Sequence, residues 1–271
     1  QPNAMGGREV GGLANQLAAH TDFETENVER VARFWGSKNM ITKPGLKAVD
    51  LFDAIHDGKI KAVWIMGTNP VVSLPDADKA IEALQNCDFV VVSDCIGNTD
   101  TCHYANVKLP SQAWGERNGT VTNSERRISR QRPFLQAPGS AREDWQIIAE
   151  VARKMGYEDA FGYKHVVEIF REHAALSGFE NDNAHGIRDF DISYLQDVDQ
   201  TAYDELQPLQ WPITSKSPNG TNRMLGDGRF FTPSGKARFI PITPKDPVNL
   251  PDADYPLTLN TGRIRDQWHT I

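Results

Sequence analysis

The chain has 271 residues, 39% of them apolar and 24% charged, enough for one large domain or two small ones and too apolar for wholesale disorder. A formal net charge of −7 disfavours a nucleic-acid binder, which carries a basic footprint. No apolar run reaches about 18 residues, which excludes a membrane-spanning helix.

The three cysteines, Cys87, Cys95 and Cys102, are odd in number and lack any CxxC spacing. A disulfide scaffold is disfavoured, and a reducing compartment is the simpler reading. A thiolate-held iron–sulfur cluster takes about four cysteines, so this chain alone is not expected to hold one. The opening Gln-Pro-Asn and an ending just after a strand-and-turn pattern at 255–262 read as a piece of a longer protein.

In chain order, GGREVGG reads as a glycine-rich loop entering a short helix that carries Leu13, Leu17 and Ala18. Residues 24–35 place Val28, Val31, Ala32 and Trp35 at helical spacing, and residues 46–55 do the same with Leu46, Val49, Leu51, Phe52 and Ile55. The continuous apolar run 62–66 predicts a strand buried on both faces. A turn follows at 67–70, a helix at 75–84 led by Asp76 and Asp78, and a second buried strand at 89–92. This is a parallel βαβ unit, with a further short strand at 106–110.

Residues 115–132 read as a basic loop, with arginines at 117, 126, 127, 130 and 132. Helices are predicted over 143–155, with Trp145, Ile148, Ala149 and Ala152 sharing a face, and over 164–176. The run 180–206, with eight carboxylates against Arg188 alone, reads as solvated surface. Residues 211–235 read as long loops, 229–240 as a hairpin turning at Pro233–Gly235, and the proline-rich stretch after it as a linker. No internal repeat is present.

In open parallel sheets, ligands bind beyond the carboxyl ends of the strands. Gly67 and Asn69 in the first such turn, and Ser93 and Asp94 at the end of the second strand, are therefore candidate binding residues. Asp94 either accepts paired hydrogen bonds from ribose hydroxyls or a guanine edge, or it is a capping residue; spacing does not separate the two. GGREVGG offers backbone N–H groups to a phosphate but is neither a Walker A nor a GxGxxG loop. Arginines 126–132 suit a phosphate or carboxylate, or simple pairing with Glu116 and Glu125. The seven histidines lack HxxxH or HExxH spacing, and His165 and His173 read as helix-surface residues. Cys87 reads as a packed thiol, and Cys95 and Cys102 as loop thiols.

Taken together and in order, QPNAMGGREVGG, MGTNPVVSLPDAD, VVSDCIGNTDTCHYANVKLP, WGERNGTVTNSERRISRQR, GDGRFFTPSGKARF and LNTGRIRDQWHT resemble the molybdopterin oxidoreductases of the dimethyl sulfoxide reductase superfamily, and within it the assimilatory nitrate-reducing members. The resemblance spans essentially the whole chain. It implies an α/β fold: a parallel-sheet, Rossmann-like nucleotide-binding domain with helical and loop-rich additions. It also implies three parts: residues 1–45 as the end of a preceding α/β domain, 46–250 as a molybdopterin guanine dinucleotide-binding domain, and 251–271 as the start of a C-terminal cofactor-binding domain.

By the same resemblance, Gln1, Gly67 and Asn69 contact one cofactor, Ser93 and Asp94 its guanosine end, and Arg117 and Asp144 supply a basic and an acidic contact. Thr261, Gly262, Arg263, His269 and Thr270 belong to a loop holding a second cofactor. Arg8 and Glu9 lie toward the metal-facing side. No catalytic residue and no metal ligand is expected within this chain. The implied whole enzyme reduces nitrate to nitrite at molybdenum, takes electrons through a 4Fe-4S cluster held elsewhere from ferredoxin, flavodoxin or a reductase subunit, and is cytoplasmic. The segment alone is expected to be inactive, with no nucleic-acid or membrane partner. The alternatives are a periplasmic nitrate reductase or a formate dehydrogenase-like member of the superfamily, or a non-enzymatic nucleotide-binding module.

Overall fold

The computed structural model describes residues 3–259. Residues 3–222 form one compact unit, and residues 223–259 belong to another.

The first unit opens with α1 (Ala4–Glu9), so Gly6 and Gly7 are helical. The expected order of loop then helix is reversed: residues 10–21 are turns closed by the isolated bridge Leu17–Thr21. Backbone bonds from Gly7, Gly11 and Gly12 N–H to the carbonyls of Asn3, Arg8 and Gly7 consume the donors a phosphate would have used. Helix α2 (Thr25–Trp35) buries Val28 and Val31 but leaves Trp35 46% exposed. Helix α3 (Ala48–His56) buries Phe52 and Ile55 and leaves Leu46 and Val49 outside.

The parallel unit is as expected. Strand β1 (Ala62–Met66) leads through a short helix α4 (Pro70–Ser73) and α5 (Ala77–Asn86) to β2 (Phe89–Asp94). The carboxylate of Asp76 accepts from the Lys79 N–H at 3.1 Å and caps α5. A 3-10 turn at Thr101–Tyr104 precedes β3 (Val107–Pro110). The three strands form one parallel sheet with β2 in the middle, Ile65 beside Val92 and Val91 beside Val107.

One sheet face carries Val63, Ile65, Val90 and Val92, packed with Phe52, Ile55, Ala80, Ala83 and Leu84 into a single core. Each large apolar side chain fully buried there contributes roughly 1.5–3 kcal/mol. The expectation of strands buried on both faces is corrected. On the other face Trp64, Met66 and Val91 are only half-buried and Phe89 is 47% exposed; Ser93 alone is sealed. A continuous apolar run does not by itself reveal which face a helix covers.

The basic stretch is not a loop. It forms β4 (Gly119–Thr122) and β5 (Arg127–Gln131), an antiparallel pair, and α6 (Asp144–Lys154) follows with Ile147 and Ala149, not Ile148, facing inward. Helix α7 (Val166–Gly178), a 3-10 turn at Ser193–Leu195, α8 (Gln200–Asp204) and β6 (Leu209–Gln210) complete the unit, with β6 pairing on β5.

The acidic run is not solvated surface either. Phe190, Ile192, Leu195 and Tyr203 are at most 5% exposed and build a second core with Ile128, Phe170, Trp211 and Ile213. Carboxylates at intervening positions stay outside while the apolar residues between them turn in. The ring of Phe190 meets His20, His173 and Trp211 with centroids 5.4, 5.3 and 5.2 Å away. His165 is exposed as expected, whereas His173 turns its ring inward and buries Nε2.

In the second unit, described to residue 259, the expected hairpin at 229–240 is a turn without a ladder: Phe230 N–H donates to Gly235 O at 3.0 Å, and no strand is assigned. The strand expected over 255–262 is absent as far as residue 259.

Candidate functional site

The carboxyl ends of β1, β2 and β3 lie side by side and carry most of the predicted site. After β1 the chain turns at Gly67, whose φ of +60° is the left-handed conformation that glycine adopts without penalty. Nothing lies within 4 Å of where a Cβ would sit, so this turn leaves open space. Gly67 N–H donates to Ser93 O at 2.9 Å and ties the turn to the end of β2.

Asn69 precedes α4 but does not cap it with its side chain. Its Oδ1 instead accepts from the Thr101 backbone N–H at 3.2 Å and the Thr101 hydroxyl at 2.6 Å. Asp94 closes β2. Its Oδ1 accepts from Ile96 N–H at 3.0 Å, and its carbonyl accepts from Ser111 N–H beyond β3. One carboxylate oxygen of Asp94 therefore closes a local turn, and the side chain stands half-exposed at the sheet edge.

Ser93 behaves differently. Its side chain is fully buried, its hydroxyl accepts from Trp64 Nε1 at 2.7 Å, and its carbonyl is taken by Gly67. It anchors the turn from behind.

Arg117 and Asp144 are brought together, with Nη1 2.6 Å from Oδ2, each about one-third exposed. The Arg117 Nε is buried without a partner, an unspent donor. The pair sits close to the end of β2: the charge of Arg117 acts on the Cys95 thiol, although burial and Asp94 dominate and push that thiol up, away from thiolate. Cys102, expected in a loop, is 2% exposed and donates to Ile96 O.

Arginines 126–132 are not an anion site. Arg130, with a side chain 1% exposed, donates to the carbonyls of Tyr203, Gly119 and Gln131 and to Asn118 and Asp204, while its guanidinium lies 3.9 Å from the Tyr203 ring centroid. Arg126 donates to the carbonyls of Trp211, Thr221 and Asn222, and Arg132 to those of Asp204 and Leu206. Only Arg127 approaches Glu125, at 3.6 Å. These side chains satisfy backbone carbonyls of the second core, which sequence spacing does not reveal.

Arg8 is exposed, whereas Glu9 is 4% exposed and turned inward to Thr122 and Trp211. Gln1, Thr261, Gly262, Arg263, His269 and Thr270 lie outside the described residues. Among the described residues no group of three or more His, Cys, Asp or Glu is placed to hold a metal ion, and no helix is long and apolar enough to cross a membrane. Sequence reasoning missed Thr101 and Trp64, which orient Asn69 and Ser93. It also missed Gln112, whose buried Oε1 lacks a partner just beyond β3.

The edge thus presents amide N–H₂, carboxylate and guanidinium groups beside an open glycine turn. Such a set suits a ligand with anionic acceptors at one end and hydrogen-bond donors at the other.

Along its whole length the chain is 54% identical to a nitrate reductase of Klebsiella oxytoca and 34% identical to the F420-dependent formate dehydrogenase subunit alpha of Methanocaldococcus jannaschii. It spans 30% and 37% of the lengths of these relatives. Among solved structures, acetylene hydratase from Pelobacter acetylenicus shares the fold with a TM-score of 0.50 at 21% identity, over 79% of this chain and 27% of that one. The molybdopterin oxidoreductase family profile matches residues 4–154, which takes in α1, the whole parallel sheet and every described candidate residue, and the chain belongs to that family.

Proposed function

We propose that this segment binds and orients molybdopterin guanine dinucleotide within a nitrate reductase that converts nitrate to nitrite. The observation that supports it best is the donor and acceptor set at the carboxyl edge of the parallel sheet: the Asn69 amide, the Asp94 carboxylate and the unpartnered Nε of Arg117. Asp94 accepts the paired N–H donors of the guanine, a pattern adenine lacks. Arg117, held by Asp144, and the Gly67–Asn69 turn serve the pyrophosphate. Ser93 keeps the turn and Trp64 in place behind Asp94.

When bound, the cofactor supplies two-electron oxygen-atom transfer at molybdenum, and the chain's own residues bind and position it. In this reading residues 46–250 are the dinucleotide-binding domain, 1–45 close a preceding domain, and 251–271 begin a second cofactor-binding domain with Thr261, Gly262, Arg263, His269 and Thr270; Gln1 joins the first site. The whole enzyme is cytoplasmic. It carries a 4Fe-4S cluster elsewhere and draws electrons from ferredoxin, flavodoxin or a reductase subunit. The methanogen relative supports a second reading, formate oxidation on the same cofactor.

The test is to purify the full-length protein, measure its molybdenum and guanine nucleotide, and assay nitrate-dependent oxidation and formate-dependent reduction of a viologen dye. Nitrate turnover with both components present is expected, and Asp94→Asn is expected to lower the guanine nucleotide content severalfold. Formate turnover instead moves the substrate to the second reading. Absence of both cofactor components overturns the proposal.

A further inference from the structure

The Asn69 side chain has a polarity that can be read from its partners. A backbone N–H only donates, so the Asn69 atom facing Thr101 N–H at 3.2 Å is the carbonyl oxygen. The Thr101 hydroxyl agrees independently. It accepts from Val71 N–H at 3.3 Å, which directs its own proton toward Asn69 Oδ1, 2.6 Å away. Oδ1 is thereby taken by two donors from one residue. Nδ2 has no partner among the described residues, and Asn69 stays half-exposed at the open turn after β1. Thr101 is fully buried.

We propose that Thr101 is a positioning residue that locks Asn69 as a donor, so that the β1 end of the cleft takes an acceptor of the phosphate-oxygen class while the Asp94 end takes ligand donors. The inference rests on the nucleotide reading above and adds to it the residue that fixes the polarity of the Asn69 amide. The two strand ends differ in kind: N–H groups stand outward at Asn69, and a carboxylate stands outward at Asp94. A dinucleotide therefore lies with phosphate over the β1 turn and its donor-bearing base at β2. The opposite polarity would set phosphate against the Asp94 carboxylate, a like-charge contact, and leave the Asn69 amide without an acceptor.

The chemistry supplies a clean probe. Asn69→Asp is nearly isosteric and keeps an oxygen for both Thr101 donors; it replaces only the outward amide with a second oxygen. Thr101→Val removes the hydroxyl, the closer of the two donors, and leaves the amide held by the backbone N–H alone, while Thr101→Ser keeps the hydroxyl. The experiment uses the full-length protein, with guanine nucleotide and molybdenum released per mole of protein as the readout, and the rate of cofactor loss on dilution beside it.

Asn69→Asp is expected to speed loss about tenfold, as for a hydrogen bond to a charged group, and Thr101→Val about fivefold, as for one neutral hydrogen bond. Thr101→Ser is expected to stay within about twofold of the parent, which a purely volumetric role would not give, because serine is smaller than valine. Retention by Asn69→Asp equal to the parent's, with Asp94→Asn defective, overturns this inference and leaves the nucleotide reading standing. If Asp94→Asn, Asn69→Asp and Thr101→Val all retain the nucleotide normally, the ligand lies elsewhere and both fall.

Discussion

The indole Nε1 of Trp211 donates to Glu9 Oε1 at 2.6 Å, joining side chains 202 positions apart in a fully buried contact. The other oxygen of Glu9 accepts from the Thr122 hydroxyl at 2.8 Å. Helix α1 is thus held against β4 and the second core by one carboxyl group. Burial pushes that carboxyl up from 4.5 to about 7, against the two hydrogen bonds, which favour the charged form.

The sign of the consequence is fixed. A carboxyl raised in the folded state holds its proton more tightly there than when unfolded, so its contribution is complete below pH 4.5 and is lost as pH rises to about 7. The loss is about 3 kcal/mol across that window. Glu9→Gln keeps an acceptor for Trp211 and a polar contact for Thr122 while removing the charge. Urea unfolding from pH 5 to 8 is expected to show the variant gaining stability relative to the parent as pH rises, with the largest difference at pH 8. An equal loss of stability at every pH would refute this account.

His173 acts in the opposite direction. Its ring packs on Phe190, its Nε2 is buried without a partner, and burial with the neighbouring His20 pushes it down from 6.5 to about 4. A histidine lowered in the folded state favours folding above pH 6.5, and that contribution is lost as pH falls toward 4. His173→Phe is expected to keep the stack and to reduce destabilisation below pH 6. Because the Glu9 and His173 slopes oppose each other, their contributions are expected to offset in the parent protein, and the two single variants to tilt its profile in opposite senses.

Arg130 concerns packing alone. Its guanidinium is buried under the Tyr203 ring and donates to three carbonyls and two side chains, a planar fork that an ammonium does not reproduce. Arg130→Lys is expected to lower unfolding stability by about 3 kcal/mol, the scale for breaking a buried ionic network. A loss below about 1 kcal/mol would show the carbonyls satisfied without it.

These residues mark where the sequence was legible. The βαβ unit announced itself because two short apolar runs, a glycine turn and an acid-led helix are all local signals, and the strand-end rule then singled out Asn69 and Asp94. The second core did not. Its strands are short, and β5 turns Arg130 inward beside Ile128, so the alternation looked polar on both faces. Phe190 and Tyr203 sit in an acidic run whose composition gave no hint that they face in. Thr101 was equally hidden, because its partner lies 32 positions away and only the fold brings it beneath Asn69. Composition reads the outside of such segments, and long-range contacts decide the rest.

The support behind Asp94 offers a last measurement. Trp64 is half-buried on the open face of the sheet and donates to the sealed Ser93 hydroxyl at 2.7 Å. Trp64→Phe removes the donor and strands a buried oxygen, whereas Ser93→Ala removes the oxygen and strands the indole N–H, which lies nearer solvent. Each single change is expected to cost about 1–2 kcal/mol, Trp64→Phe the more of the two. The double variant is expected to cost less than the sum, with a coupling of about 1 kcal/mol. Additivity within about 0.3 kcal/mol would mean that the bond contributes nothing beyond packing, and that the anchoring of Ser93 rests on its carbonyl alone.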